Sequence, residues 1–141
     1  IASRTCTLKD PLSLETISAV NHTKKPVIVS MGMGGNKKSL EKSLSKTKPL
    51  FCYCISEYPL NLEKINWKTA VRYDGFSDHT LGITSPIIYS TLMNTKKSKF
   101  IFIEKHVKLL QSKSLDASTS IDTNQLFTMN QIIREIEKIK L

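Results

Sequence analysis

No apolar run in this 141-residue chain approaches the length of a membrane-spanning helix, so a helical membrane span is excluded. Cysteine is scarce. Cys6, Cys52 and Cys54 supply neither a disulfide framework nor a CxxC pair. Cys52 and Cys54 alternate along one apolar segment and share a face, as buried free thiols do in a reducing cytosol, the expected compartment. Acidic residues are outnumbered, 12 against 21 Lys and Arg, for a formal net charge of +9. The basic runs (Lys37, Lys38, Lys42, Lys46 and Lys48, then Lys96, Lys97 and Lys99) lack interleaved aromatics. That argues against a nucleic-acid groove and for solvated lysines on outer helices, in a protein whose charge suits an anionic substrate. A basic module that binds nucleic acid or an acidic glycan is the remaining reading of the charge alone.

Strand-like segments recur about every 25 residues, the length of one strand plus one helix in a parallel α/β structure. Ile1-Ala2 runs into Ser3, and Pro26 to Val29 ends at Ser30. Phe51 to Ile55 ends at Ser56 and Tyr58, and Tyr73 to Phe76 runs into Ser77, Asp78 and His79. Phe100 to Ile103 runs into Glu104, Lys105 and His106. A reactive side chain therefore follows each apolar run, where a barrel gathers its chemistry. Five units do not close an eight-stranded barrel. No Met, signal peptide or leading loop precedes Ile1, and no internal stretch resembles a domain linker. The expectation is an α/β fold, a partial (β/α)8 TIM barrel comprising about its last five strand-helix units. An open doubly wound sheet of five strands is the alternative.

Helix signals fill the gaps. Asp10-Pro11 places a capping carboxylate before a proline, ahead of a stripe of Leu12, Leu14, Ile17 and Val20. Ser39 to Lys46 carries Leu40 and Leu44; Leu62 to Val71 carries Ile65, Trp67 and Val71. Thr84-Ser85-Pro86 opens a helix with Ile87, Ile88, Tyr89, Leu92 and Met93. The last helix starts near Asp122-Thr123 and packs through Leu126, Met129, Ile133 and Ile136. Met31 to Gly35 is a flexible turn, and Ser112 to Ser120 a long polar loop of the kind that carries function.

His79 and His106 lie 27 positions apart, one strand-helix repeat, so they sit at the tops of adjacent strands. Imidazoles placed so can converge on Zn, Mn, Fe or Co, with water, substrate or a carboxylate completing the shell. Buried or loop histidines without a metal are the other reading. His22, at a helix end, is expected to be structural. Ser3, Ser30, Ser56 and Ser77 end successive runs, and hydroxyls around a barrel mouth can donate to phosphate oxygens. Serine also commonly ends strands.

Phe76-Ser77-Asp78-His79-Thr80-Leu81-Gly82-Ile83, with Ile103-Glu104-Lys105-His106, resembles the signature of the sialic acid synthase family, which includes N-acetylneuraminate, legionaminate and pseudaminate synthases. Lys25 to Met33 and Cys54-Ile55-Ser56-Glu57-Tyr58-Pro59 support it in order and spacing. The resemblance implies a (β/α)8 barrel that condenses phosphoenolpyruvate with an N-acetylated hexosamine, such as N-acetylmannosamine, to a nine-carbon keto acid and phosphate. It implies that His79 and His106 ligate a divalent metal, Mn2+ before Mg2+ or Co2+, and serve catalysis with Asp116. Ser3, Ser30, Ser56 and Ser77 fall on phosphoenolpyruvate-binding positions, and Tyr58 on the sugar side. Asp116 matches the family's loop aspartate once a one-residue deletion precedes it. A cytoplasmic homodimer without membrane or nucleic-acid partners is also implied.

Departures accompany the match. Arg4-Thr5 stands where the family commonly has Gly-Glu or Gly-Asp, and Val107-Lys108-Leu109-Leu110 lacks the usual acidic and Arg residues. Both bear on the acceptor sugar, and they motivate the alternative reading of a family member with lost or altered activity, a pseudoenzyme or one with a different acceptor sugar. The family's Lys before Ile1, its first three strands and its antifreeze-like domain are not in this sequence. The expected consequence is that residues 1–141 alone do not turn over.

Overall fold

The protein, as a computed structural model, is described over residues 1–95 and 101–139. Among the described residues four strands, β1 (Pro26–Ser30), β2 (Lys48–Cys54), β3 (Gly75–Asp78) and β4 (Phe102–Lys105), form one sheet in the order β1-β2-β3-β4. Every pairing is parallel. Each neighbour in the sheet is also the next strand in the chain, so the order never reverses as it does at the switch point of a doubly wound sheet. This is the partial (β/α)8 barrel expected, and the doubly wound alternative is set aside.

The helices are α1 (Pro11–Thr23), α2 (Lys37–Ser43), α3 (Trp67–Ala70), α4 (Thr84–Asn94) and α5 (Thr123–Lys138). Local chemistry sets their starts. The Asp10 carboxylate accepts from the Ser13 N–H at 2.9 Å, with Pro11 at the first helical position. The Asp122 side chain accepts from the Gln125 N–H at 2.8 Å and the Gln125 side chain accepts from the Asp122 N–H at 3.1 Å, a reciprocal capping box. Asn36 caps α2 through the Ser39 N–H, two residues earlier than the expected start.

Several expectations need correction. Ile1-Ala2 is not a strand, although Ile1 lies beside β1: its amino group donates to the Ile28 carbonyl and its own carbonyl accepts from the Ser30 N–H. One residue cannot sustain a ladder, and the backbone then turns into a 3-10 segment at Thr5–Thr7. The helix expected over Leu62 to Val71 is split into a 3-10 turn, Leu62–Lys64, and α3. Asn66 divides them by capping α3 through the Thr69 N–H at 3.1 Å. In α1 the buried face is Ser13 and Ile17, while Leu12 and Leu14 are exposed. Within the strands Val29 and Phe51 are buried, whereas Ile28 is 42% exposed. Lys96, Lys97, Lys99 and Phe100 lie outside the described residues.

Alternation along the strands separates two faces. Val29 and Phe51 turn to the helices and pack with Ile17, Leu40 and Leu44. Phe76 packs with Ala70, Tyr89 and Met93, stacked on Tyr89 at 5.2 Å between ring centres. The opposite, inner face carries Ser30 beside Cys52, then Cys54, Ser77 and Glu104 in one register row. Gly75 and Phe102 also face each other there, since a methyl at Gly75 would fall 2.4 Å from the Phe102 ring. The inner face thus carries the polar side chains to the carboxyl ends of the strands.

Candidate active site

His79 follows β3 directly and is buried, and His106 follows β4 directly. Their rings lie 5.5 Å apart between centres, tilted by 51°. His79 Nδ1 lies 2.7 Å from the Ile55 carbonyl, which places the proton on Nδ1 and the lone pair on Nε2. Burial is the main force holding this imidazole below its ordinary pKa, with His106 adding to it, so the ring is neutral at neutral pH.

Tyr58 closes over the pair. Its ring centre is 3.9 Å from that of His79 and 5.8 Å from that of His106. The fold puts it there because the segment after β2 returns to β3: the Leu60 N–H donates to the His79 carbonyl at 2.8 Å. Burial raises the Tyr58 phenol, and nearby Cys54, Asp116 and Glu104 raise it further. Asp116 arrives from the other side. The Ile121 N–H donates to the His106 carbonyl at 2.9 Å, and the 3-10 turn Leu115–Ser118 then brings the Asp116 carboxylate to 3.8 Å from His106 Nδ1.

The serines divide. Ser3 and Ser56 converge on Gly32, where a methyl would lie 2.6 Å from Ser56 Oγ, 2.8 Å from Cys54 Sγ and 2.9 Å from Ser3 Oγ. Only glycine permits that approach, and the Gly32 N–H donates to Ser3 Oγ at 2.9 Å. Ser30 sits one row deeper, its Oγ 3.4 Å from Cys52 Sγ. Ser77 donates to Glu104 Oε1 at 2.8 Å and lies 3.5 Å from His79 Nε2. His22, as expected, is bound within its own helix, Nδ1 to the Ser18 carbonyl at 2.7 Å.

The donor chemistry fits a divalent ion held by two protein ligands. One imidazole is neutral with a fixed tautomer and an Nε2 met by the long 3.5 Å contact to Ser77, and a second ring stands beside it. Among the described residues no group of three or more His, Cys, Asp or Glu side chains is placed to hold a metal, so an ion on the two rings would need water or substrate oxygens to complete its shell.

Comparison with known proteins bears on this arrangement. A family model described as the NeuB family matches residues 1–140. The chain belongs to the NeuB family. It is 28% identical over 137 residues to a pseudaminic acid synthase of Helicobacter pylori, covering 88% of this chain and 38% of that protein. Against human N-acetylneuraminate-9-phosphate synthase it is 25% identical over 127 residues, 81% of this chain and 34% of the relative. The chain therefore spans well under half the length of these relatives. Its fold matches a Leptospira borgpetersenii N-acetylneuraminic acid synthetase at a TM-score of 0.72 and 22% identity, over 95% of this chain and 48% of that one. A Bacillus subtilis spore coat polysaccharide biosynthesis protein matches at 0.72 and 22%, over 97% and 39%.

Sequence reasoning placed both histidines of this NeuB-family chain at neighbouring strand ends but missed three contacts around them. Glu104 takes the Ser77 hydroxyl, Gly32 gathers two serines, and Asp78 pairs with Lys105 at 2.7 Å with both side chains buried. The last carried a legible signal, since Asp78 and Lys105 share the 27-residue spacing of the histidines.

Proposed function

We propose that this chain forms the metal-bearing half of a synthase barrel that condenses phosphoenolpyruvate with an N-acetylated hexosamine, giving a nine-carbon keto acid and inorganic phosphate. The observation that carries the reading is the pairing of His79 and His106 rings, 5.5 Å apart, at the mouth of a NeuB-family sheet. In this reaction carbon 3 of phosphoenolpyruvate bonds to the open-chain aldehyde carbon of the sugar, water adds at carbon 2, and the bond to phosphate breaks. His79 and His106 would hold a divalent ion, Mn2+ before Mg2+ or Co2+, which when bound would supply Lewis-acid polarisation of the aldehyde.

The remaining work falls to this chain's own groups. Ser3 and Ser56, held against Gly32, offer hydroxyls to the phosphate, and Ser30 lies beneath them. Ser77 is oriented by Glu104. Tyr58, half exposed over His79, shields that ring and presents its hydroxyl to the sugar. Asp116 orients His106 and reaches toward the acceptor. A different acceptor sugar is the second reading, favoured by Arg4-Thr5 at the position where the family commonly carries an acid.

Phosphate release assayed in the full-length protein tests both. The expected result is release that requires phosphoenolpyruvate, Mn2+ and an amino-sugar together, and is abolished by His79→Ala. Release that persists in His79→Ala would overturn the assignment. A panel of hexosamines separates the two acceptor readings.

A further inference from the structure

The ladder between β3 and β4 stops at the Asp78–Lys105 register pair, one residue short of each histidine. Beyond that point the two histidine backbones part company. The His79 carbonyl is taken by Leu60 on one flank, and the His106 carbonyl by Ile121 on the other. What crosses between them is the Lys105 side chain. Its ammonium donates to Asp78 Oδ2 and to the Thr80 carbonyl, so it grips the residue before His79 and the residue after it, while itself preceding His106. Asp78 is held in turn, its Oδ1 accepting from the Thr80 N–H at 2.9 Å. The Thr80 hydroxyl is bonded to Ser85 at the start of α4.

Both charged side chains are almost wholly excluded from solvent, 2% exposed for Lys105 and fully buried for Asp78. A buried ion pair is a poor source of stability, because desolvation consumes most of the Coulomb attraction. Its directional bonds nonetheless fix where the strand ends lie, and here they bracket one imidazole and anchor the other.

We propose that Asp78 and Lys105 are positioning residues that set the separation and facing of the His79 and His106 rings. Their consequence for metal affinity rests on the joint-ligand reading of those histidines; their consequence for ring geometry does not. Groups that orient metal ligands typically govern affinity by about 10- to 100-fold.

The test uses the full-length protein labelled with 13C-histidine, first without metal. The readout is the ring-to-ring NOE between His79 and His106. The double variant Asp78→Asn with Lys105→Met removes the charges together, keeps an acceptor for the Thr80 N–H and fills the volume of the lysine stem. It should remain folded by near-UV circular dichroism, lose the ring-to-ring cross-peak, and bind Co2+ about 10-fold or more weakly by d–d absorption. A folded double variant with an unchanged cross-peak overturns the proposal. Where the double variant fails to fold, Asp78→Glu keeps both charges but displaces the ammonium, and the same cross-peak should weaken; an unaltered one counts against the clamp equally. Wild-type protein that shows the cross-peak yet takes up no Co2+ sinks the metal reading, while ring positioning still stands or falls on the NOE of the variants.

Discussion

Glycine at position 32 illustrates how much a single residue decides here. Its missing side chain lets Ser3, Cys54 and Ser56 close over one stretch of backbone. Gly32→Ala should cost about 1–3 kcal/mol of stability. On the proposed function, the same change in the full-length protein should also weaken phosphoenolpyruvate binding, read by isothermal titration. Equal affinity in the variant would remove the serines from the phosphate site. Lys105 gives the opposite case, a residue whose loss is felt through its partner. Lys105→Met alone strands a buried carboxylate and should destabilise by roughly 3–5 kcal/mol in a denaturant titration. Neutralising Asp78 as well should recover most of that loss.

Cys52 carries a pH dependence whose direction follows from its burial. Burial pushes its thiol up to about 11, against a smaller lowering by the Ser30 contact. The folded state therefore holds this proton more tightly than the unfolded chain, whose ordinary thiol titrates near 8.5. The sign follows: the contribution is fully present below about pH 8.5 and is lost as pH rises toward 11. Cys52→Ala should flatten the fall of stability across that alkaline window, measured by urea titration at several pH values. An equally steep fall in the variant would assign the effect elsewhere, the raised Tyr89 phenol being the next group to remove.

At the scale of elements, the caps proved more legible than the stripes. Asp10-Pro11 and Asp122-Thr123 are local signals, satisfied by a residue three positions on, and both start helices as expected. Asp122→Ala should therefore cost α5 about 1 kcal/mol, seen as a lowered thermal midpoint. Stripe reading failed at Leu12 and Leu14 because which face of α1 is covered depends on where β1 and β2 lie beneath it. Leu62 to Val71 failed differently. Its apolar spacing suits one helix, but Asn61 and Asn66 each cap a separate turn, and side-chain bonds to the backbone interrupt the helix.

Across the whole molecule, the sheet is half of an enclosure. Its inner face leaves Ile28 42% exposed, and among the described residues β1 is flanked along its outer edge only by Ile1. Apolar surface and unpaired strand edges of this kind promote association. Residues 1–141 prepared alone should self-associate in sedimentation velocity, and Ile28→Lys should reduce this. A clean monomer for the wild-type chain would contradict the expectation. Among the described residues no helix is long and apolar enough to cross a membrane.

Repetition along the chain was enough to announce parallel strands, their spacing, and imidazoles at two neighbouring tips, because a strand followed by a helix imposes its period on any sequence that adopts it. Which groups then touch was settled only by folding. Glu104 meets Ser77, Asp116 meets His106, and Lys105 spans Asp78 and Thr80 because chain returns at Leu60 and Ile121 set distances that no spacing encodes. Periodicity is a property of one segment at a time, whereas contact across strands depends on register and curvature shared by several.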